Sequence, residues 1–517
     1  MASSSSYFYK DPQTVFDDID FQMTLEPSTL TELVKAFLDE FRTGLGDYNH
    51  PMAMIPSFVT GVPDGTETGT FLALDLGGTN LRVCEVVLHG DKTFSLRQQK
   101  YKVSETLKTG EATALFDYLA ASVDAFLTSH PAQDYGSQSD VVHLGLTFSF
   151  PVEQTALGSG KILTWTKGFS AKNAIGNDVV KLLQDAFDRK HMHVKCVALV
   201  NDPRRNLKTV GALLSRSYTA GGCILGSIFG TGTNGAYVEE VANIKKLANS
   251  KAAAKGGEMI VNTEWGAFNN TRSHLPSTPF DNTLDRMSIN PRFQAFEKFI
   301  SGMYLGEITR LILLSLIDAA PKPLIFQGKF TPALTNQWGL DTSVMSDVEE
   351  AWEGKDAKDA DVKLNLPKFS AFDAEKLSPE VKAKLERVRK VVVAKLGFAD
   401  QDVSLLDAAI VRWACHLVAR RAALLSGVAV AAVLLQTGRA SLPDASGKFT
   451  KRDSTEKIGV GVDGSLIQFY PNFEKTMRES LRYLVGEDVE KRVDVGLAKD
   501  GSGVGAALCA LQAIKQM

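Results

Sequence analysis

FLALDLGGTNLRVCEVV, residues 71–87, places two apolar runs of strand-forming residues on either side of Gly77-Gly78-Thr79-Asn80. That pattern predicts a tight hairpin. Its glycines permit positive φ and leave no side chain between the turn's N–H groups and an incoming anion, so the turn reads as a phosphate cradle. Asp75, at the end of the first run, is placed to hold a hydrated Mg²⁺ beside that phosphate, and Arg82 supplies a cation. Taken alone, the turn reads more simply as an ordinary hairpin with an exposed acid. A second stretch, CILGSIFGTGTNGAYVEE at residues 223–240, changes the balance. It repeats strand, glycine turn and strand, which points to an internal duplication in structure rather than in letters. Two cradles, each followed by helices, would face one another across a cleft between two α/β domains, with the nucleotide in the cleft.

The composition supports that scale. With 517 residues and 44% hydrophobic content, the chain can bury a large core and divide into two domains. Lys+Arg 57 against Asp+Glu 60 gives a net charge of −3, so nucleic acid is not an expected partner. Cys84, Cys196, Cys223, Cys415 and Cys509 are scattered without a CxxC pair, which fits a reducing compartment and argues against a zinc site. The N-terminal residues lack a basic region leading into an apolar core, and the C-terminal KQM is no lipidation or peroxisomal signal. Ala422 to Leu435, AALLSGVAVAAVLL, is too short to cross a bilayer that needs about 20 apolar residues, and is expected as a buried helix. A cytoplasmic protein without membrane contact is the expectation.

Helical spacing is read over Leu30 to Leu45, with Ser28 or Thr29 as N-cap, over Ala112 to Phe126, and over Asp178 to Lys190. Strands are expected at Val141 to Phe150 and Val194 to Val200, and Gly158 to Phe169 as a loop. Glu350 to Lys390 is dense in charge and reads as a solvated surface. The dinucleotide pattern G-x-G-x-x-G/A occurs at Gly230 to Gly235, Gly459 to Gly464 and Gly501 to Ala506. The first is followed by the strand AYVEE, the second by the strand-like LIQFY, and the third lies too near the end, so none predicts a Rossmann unit. Lys161 is followed by Ile162, which leaves no P-loop. What survives is a set of polar residues at strand ends and in loops: Ser149, Thr166, Lys167, Asn201, Asp202, Asn234, Asn262, Glu264 and Glu297. Such a mixture of donors and acceptors suits a polyhydroxylated ligand, whose hydroxyls each give and take a hydrogen bond.

Read in order, LDLGGTNLRV, LTFSFPVEQ, LTWTKGF, LVND, FGTGTNGAY, NTEWGAF, FEKFISGMYLGEITR, VDGS and DGSGVGAAL resemble the hexokinase family over nearly the whole chain. WTKGF and NTEWGAF are similar to its glucokinase-type branch, and one copy of each motif implies a single-unit form. The resemblance implies an actin-like ATPase fold of two ribonuclease-H-like α/β domains around a cleft. The small domain would be 69–202 with 503–517, and the large domain 1–68 with 203–502. It implies ATP-dependent phosphorylation of glucose, with other hexoses as further candidate substrates, at the 6-hydroxyl, the first step of glycolysis, by a monomer or homodimer. Asp202 matches the general base. Ser149, Thr166, Lys167, Asn201, Asn234, Asn262, Glu264, Gln294 and Glu297 match positions that contact sugar. Gly77, Gly78, Thr79, Asn80 and Arg82 match the first phosphate turn, and Gly230, Thr231 and Gly232 the second. Thr342, Gly464 and Ser465 resemble the adenosine pocket. Lys167 and Mg²⁺ would position the γ-phosphate, the metal being carried by ATP rather than held directly by protein.

Two departures stand out against that family. Family members run from Asn-Asp into Thr-Val, whereas here Pro203 to Lys208, PRRNLK, intervenes between Asp202 and Thr209-Val210. Pro203 favours a helix start with Asp202 as its N-cap, and Arg204, Arg205 and Lys208 are placed to pair with the carboxylate and weaken it as a base. The alternative expectation is therefore a catalytically impaired sugar sensor; a segment that loops outward would instead leave Asp202 in place. Arg292 also stands where a glycine is usual, which bears on the placement of Gln294 and Glu297.

Overall fold

The computed structural model describes residues 11–129, 141–201, 206–248, 250–354, 368–444, 446–450, 454–498, 500–501 and 503–516. In chain order its strands are β1 (Ile55–Pro56), β2 (Thr68–Leu76), β3 (Asn80–His89), β4 (Phe94–Lys102), β5 (Val142–Phe148), β6 (Val152–Ala156), β7 (Ser159–Ile162), β8 (Val194–Asn201), β9 (Cys223–Phe229), β10 (Thr233–Glu240), β11 (Glu258–Asn262), β12 (Ile458–Asp463) and β13 (Val493–Leu497). They build a sheet in the order β4-β3-β2-β5-β8 and a second in the order β1-β11-β10-β9-β12-β13, while β6 and β7 pair apart.

The duplication expected from the two glycine hairpins is written in this topology. Each sheet opens with three antiparallel strands and adds two parallel ones beside the first: β5 and β8 beside β2, β12 and β13 beside β9. Apart from β1, the spatial order is the same in both. Both glycine turns therefore leave the same end of equivalent strands.

Alternation along β2 sorts its side chains onto two faces. Leu72, Leu74 and Leu76 pack with Leu115, Phe116 and Phe187 of the helices Ala112–Ser129 and Val179–Arg189. Phe71 and Ala73 join the opposite core, which holds Val504, Ala507 and Leu508 of the C-terminal helix Gly503–Gln516 together with Val210, Leu213 and Leu214 of the helix Asn206–Ala220. Those two helices cross where no side chain fits: a Cβ on Gly211 would lie 1.6 Å from the Gly501 carbonyl oxygen. The C-terminal helix lies on the first sheet and Asn206–Ala220 on the second, so the crossing joins the two halves.

The third core surrounds the helix Leu405–Gln436, whose N-terminus carries a Ser404–Asp407 capping box. The apolar run Ala422 to Leu435 is its second half. At 32 residues the helix is long and apolar enough to cross a membrane, but it is buried within this core. The run was thus rightly placed inside, although the helix extends well upstream of it.

Several boundaries differ from the sequence reading. The first long helix spans Pro27–Gly46, so Ser28 and Thr29 lie in its first turn, and Pro27 starts it because its fixed φ suits that position. Gly158 to Phe169 contains β7 and is not wholly loop. LIQFY is not a strand: Ser465–Phe469 is a short helix that follows the turn at Gly464. Gly459 and Gly461 lie inside β12, where a Cβ on Gly461 would meet the Ala212 carbonyl oxygen of the helix Asn206–Ala220 at 2.5 Å and one on Gly459 would meet Cys223 Cα of β9 at 2.8 Å, so they serve close packing. In the charged stretch, 355–367 lies outside the described residues; Trp352 is buried, and the helix Pro379–Leu396 buries Leu385, Val388 and Val392. Within 350–390 only Trp352, Leu385 and Val388 are buried among the described residues, so most of the stretch is exposed or partly exposed as read.

Candidate active site

The first turn is held from both sides. Gly77 N–H donates to the Asn80 carbonyl oxygen at 3.0 Å, and Val103 N–H donates to that of Thr79 at 3.2 Å. Neither Gly77 nor Gly78 takes positive φ, so the conformational reason expected for them fails. Their use is room. A Cβ on Gly78 would meet the Lys167 side chain at 3.3 Å, which places that lysine against the turn. Lys167 has φ +58°, and its Nζ donates to the Ser149 carbonyl oxygen at 2.9 Å. Its loop is anchored by Trp165, whose Nε1–H donates to the Ala171 carbonyl oxygen at 2.8 Å and whose ring meets Phe150 edge-on. Thr166 beside it is exposed and Ser149 is buried. Asp75 and Arg82 stand opposite one another across the hairpin, with Arg82 Nη2 3.3 Å from Asp75 Oδ2. Asn201 ends β8 opposite Phe148; its side chain, and all of Asp202, lie outside the described residues.

A second group gathers on the other sheet. Asn234 Nδ2 donates to Asn262 Oδ1 at 2.7 Å and to Glu264 Oε1 at 2.9 Å, and Asn262 Nδ2 donates to the same Glu264 oxygen at 2.9 Å. Two amides thus aim one carboxylate, which itself sits on a residue of φ +58°. Glu297 joins them by accepting the Thr233 N–H at 3.1 Å on Oε2. Gln294 is pressed so close to the backbone that a Cβ on Gly266 would fall 2.4 Å from its Oε1. Thr233 and Trp265, which the sequence reading passed over, bind the group from below: Trp265 Nε1–H donates to Thr233 Oγ1 at 2.9 Å. Within NTEWGAF that tryptophan reads only as core, and it is fully buried.

The second turn meets the remaining residues. Gly302 N–H donates to the Gly230 carbonyl oxygen at 2.7 Å and Met303 N–H to that of Thr231 at 3.3 Å, while Gly230 N–H reaches the Gly232 carbonyl oxygen at 3.1 Å. A Cβ on Gly230 would lie 2.9 Å from Gly464 Cα and 3.0 Å from the Ser465 nitrogen, so the turn and the head of the short helix touch. Thr342 is tied to the same place. Its Oγ1 donates to the Gly302 carbonyl oxygen at 2.6 Å and accepts the Gly306 N–H at 2.8 Å. That hydroxyl is spent on holding the helix Gly302–Ile317 against the turn.

Residues 15–218 and 224–512 each match a family model described as hexokinase. Over 511 residues the chain is 40% identical to a glucokinase of Aspergillus niger, with 93% of both chains covered. The chain belongs to the hexokinase family. It is also 37% identical to Glucokinase-1 of Saccharomyces cerevisiae, over 96% of this chain and 95% of that one. A hexokinase from Schistosoma mansoni complexed with glucose superimposes with a TM-score of 0.70 at 33% identity, covering 97% of this chain and 99% of that chain. A further hexokinase crystal structure gives 0.76 at 29% identity, with the same coverage. The twin-sheet plan is that of these hexokinases, the actin-like ATPase fold of two ribonuclease-H-like α/β domains around a cleft.

In this hexokinase-family chain the turn at Arg292 is firmly held. Arg292 takes φ +61°, the region that glycine enters most easily, and its N–H donates to both Asp285 carboxylate oxygens, at 3.1 and 3.0 Å. Asp285 also holds Lys298 Nζ at 2.7 Å and Arg272 Nη2 at 3.0 Å. Burial opposes the charge on Asp285, but these donors outweigh it and hold the carboxyl below its usual range. The backbone strain is thus absorbed, and Gln294 and Glu297 follow on a fixed turn. At the other departure, the helix Asn206–Ala220 begins inside the segment Pro203 to Lys208. The last part of the insertion is therefore helical; the expected capping by Asp202 lies outside the described residues.

A titrating support lies under the Glu264 loop. Glu40 Oε1 accepts the Asn269 N–H at 3.0 Å, and the neighbouring Asn270 Oδ1 accepts the Ala295 N–H at 3.0 Å, which links the Glu264 and Glu297 loops. Burial pushes the Glu40 carboxyl up to about 7, against a lowering by the Asn269 N–H. Between the ordinary carboxylate range and pH 7 the folded chain then holds a proton that the unfolded chain releases, so this group's contribution to stability falls as pH rises through that window. Glu40→Gln keeps the acceptor and removes the titration. It is expected to melt with the wild type near pH 4.5 and several degrees above it at pH 8; a pH-independent difference in thermal melts would contradict the assignment.

Proposed function

We propose that this hexokinase-family chain transfers the γ-phosphoryl group of ATP to the 6-hydroxyl of glucose, and of related hexoses, in the cytoplasm at the head of glycolysis. The observation that carries the reading is the Asn234–Asn262–Glu264 cluster with Glu297 beside it, a fixed array of acceptors and donors one strand away from a glycine turn. The names of the relatives support glucose as the preferred sugar.

Each part then has a task. Glu264, Glu297, Gln294, Asn234 and Asn262 bind sugar hydroxyls from one side, and Ser149, Thr166, Lys167 and Asn201 from the other. Asp202 takes the proton of the attacking hydroxyl. Lys167 leaves the Ser149 carbonyl to meet the γ-phosphate, a short swing since it already flanks Gly78. Gly77 to Asn80 with Arg82 receive phosphate on one side, Gly230 to Gly232 on the other, and Gly464, Ser465 and Thr342 border the adenosine. Among the described residues no group of three or more His, Cys, Asp or Glu is set to hold a metal. A partly buried carboxylate, Asp75, suits an outer-sphere contact to Mg²⁺ carried by ATP, where the ion neutralises phosphate charge. We place the small domain at 69–202 with 503–517 and the large one at 1–68 with 203–502; the helix crossing at Gly211 supports a hinge there, and closure would exclude water as a competing acceptor. We read the chain as a monomer or homodimer without nucleic-acid or membrane partners.

The test is ADP release by the full chain. The reading expects it only when glucose, ATP and Mg²⁺ are all present; ADP formed equally without sugar, or none at all, overturns it.

A further inference from the structure

Arg82 is shared unequally between two carboxylates. Its Nη1 lies 3.2 and 3.0 Å from the two oxygens of Asp500, while its Nη2 lies 3.3 Å from Asp75 Oδ2. Gln98 Oε1 takes a further bond from Nη1 at 3.1 Å. Asp500 is tied to the C-terminal helix: its Oδ1 accepts the Gly503 N–H at 3.1 Å at the helix head, and a Cβ on Gly503 would meet Cys84 Sγ of β3 at 3.0 Å. The helix start is thus pressed against the strand that carries Arg82. The three charged side chains are only 17%, 21% and 23% exposed for Arg82, Asp500 and Asp75, so their contest is weakly screened by solvent.

We propose that Asp500 is a positioning residue of the nucleotide site, holding the Arg82 guanidinium back so that the Asp75 carboxylate stays available to the cation of Mg-nucleotide. Asp75 and Arg82 are direct cross-strand partners. Without the second carboxylate, the guanidinium fork turns fully onto Asp75 and forms the bidentate pair that arginine and carboxylate favour. Asp75 is then drawn into that closer pair and away from the metal's hydration shell. The glycine motif KDGSGVGAA at 499–507, which the sequence reading left without a task, thereby acquires one.

The inference rests on the reading of the first turn as a nucleotide site, and calorimetry of Mg-ADP binding to the full chain separates the two. A wild-type chain that binds no Mg-ADP fails that reading itself. Asp500→Asn is expected to weaken Mg-ADP about tenfold, the scale of one charge-assisted hydrogen bond, while glucose affinity stays within about twofold. Asp500→Ser keeps an oxygen for the Gly503 N–H and should show the same loss, which separates the effect from helix capping. In a double-mutant cycle, Arg82→Gln with Asp500→Asn should bind Mg-ADP no worse than Arg82→Gln alone. Unchanged Mg-ADP binding in Asp500→Asn, equal loss of glucose and Mg-ADP, additive losses in the cycle, or failure of both Asp500 variants to fold would each overturn the positioning role.

Discussion

Asp202→Asn is expected to lower kcat by about 10²- to 10⁴-fold while leaving glucose affinity within about threefold. The substitution keeps the size and hydrogen-bonding reach of the side chain and removes only its ability to accept a proton. β8 ends at Asn201, in register with Phe148, at the strand end where Ser149 leaves β5. The proposed reading has sugar held largely by the cluster around Glu264, on the other sheet, so binding should outlast the loss of the base. A fall in kcat with intact calorimetric binding of glucose is the expected result. A loss of binding and turnover in parallel would assign Asp202 to sugar recognition and leave the base unidentified.

The largest expected effect on stability is at Arg421→Met. Arg421 and Asp281 are 0% and 3% exposed and form a two-pronged pair, Nη1 to Oδ2 at 2.8 Å and Nη2 to Oδ1 at 2.7 Å. The guanidinium also lies over the Phe299 ring, 4.8 Å from its centroid. Asp281 in turn caps the helix Pro279–Met287 by accepting from the Thr278 N–H and hydroxyl. Methionine fills much of the arginine's volume but strands a buried carboxylate, which costs about 3–5 kcal/mol. Chemical denaturation should show the midpoint falling accordingly. Adding Asp281→Asn removes the uncompensated charge and should recover part of the loss; a double variant that is worse than Arg421→Met alone would contradict this account.

Features that depend on local order were legible in the sequence. Phe71 to Val87 alternates and turns within one hairpin, and the second hairpin repeats the plan closely enough that both sheets could be expected from letters. Asn234, Asn262 and Glu264 could be singled out because they sit at strand ends or in the loop just beyond one. The misreadings have tertiary causes. Gly77 and Gly78 were credited with positive φ, yet what matters is the space beside Lys167, a residue far along the chain. Leu466 to Tyr470 carries β-type side chains, but the Gly464 turn pressed against Gly230 starts a helix there instead. Asp500 gave no signal of its own: its partner Arg82 is 418 residues away, and only the fold brings them together.

The most direct test measures ADP release and glucose binding on one preparation of the full chain, with Mg²⁺ and ATP. The account predicts glucose binding together with turnover at about 1 s⁻¹ or faster, which would mean that Pro203 to Lys208 leaves Asp202 able to reach the sugar. Glucose binding without sugar-dependent ADP release would contradict it, and would make the chain a sensor built on a kinase fold.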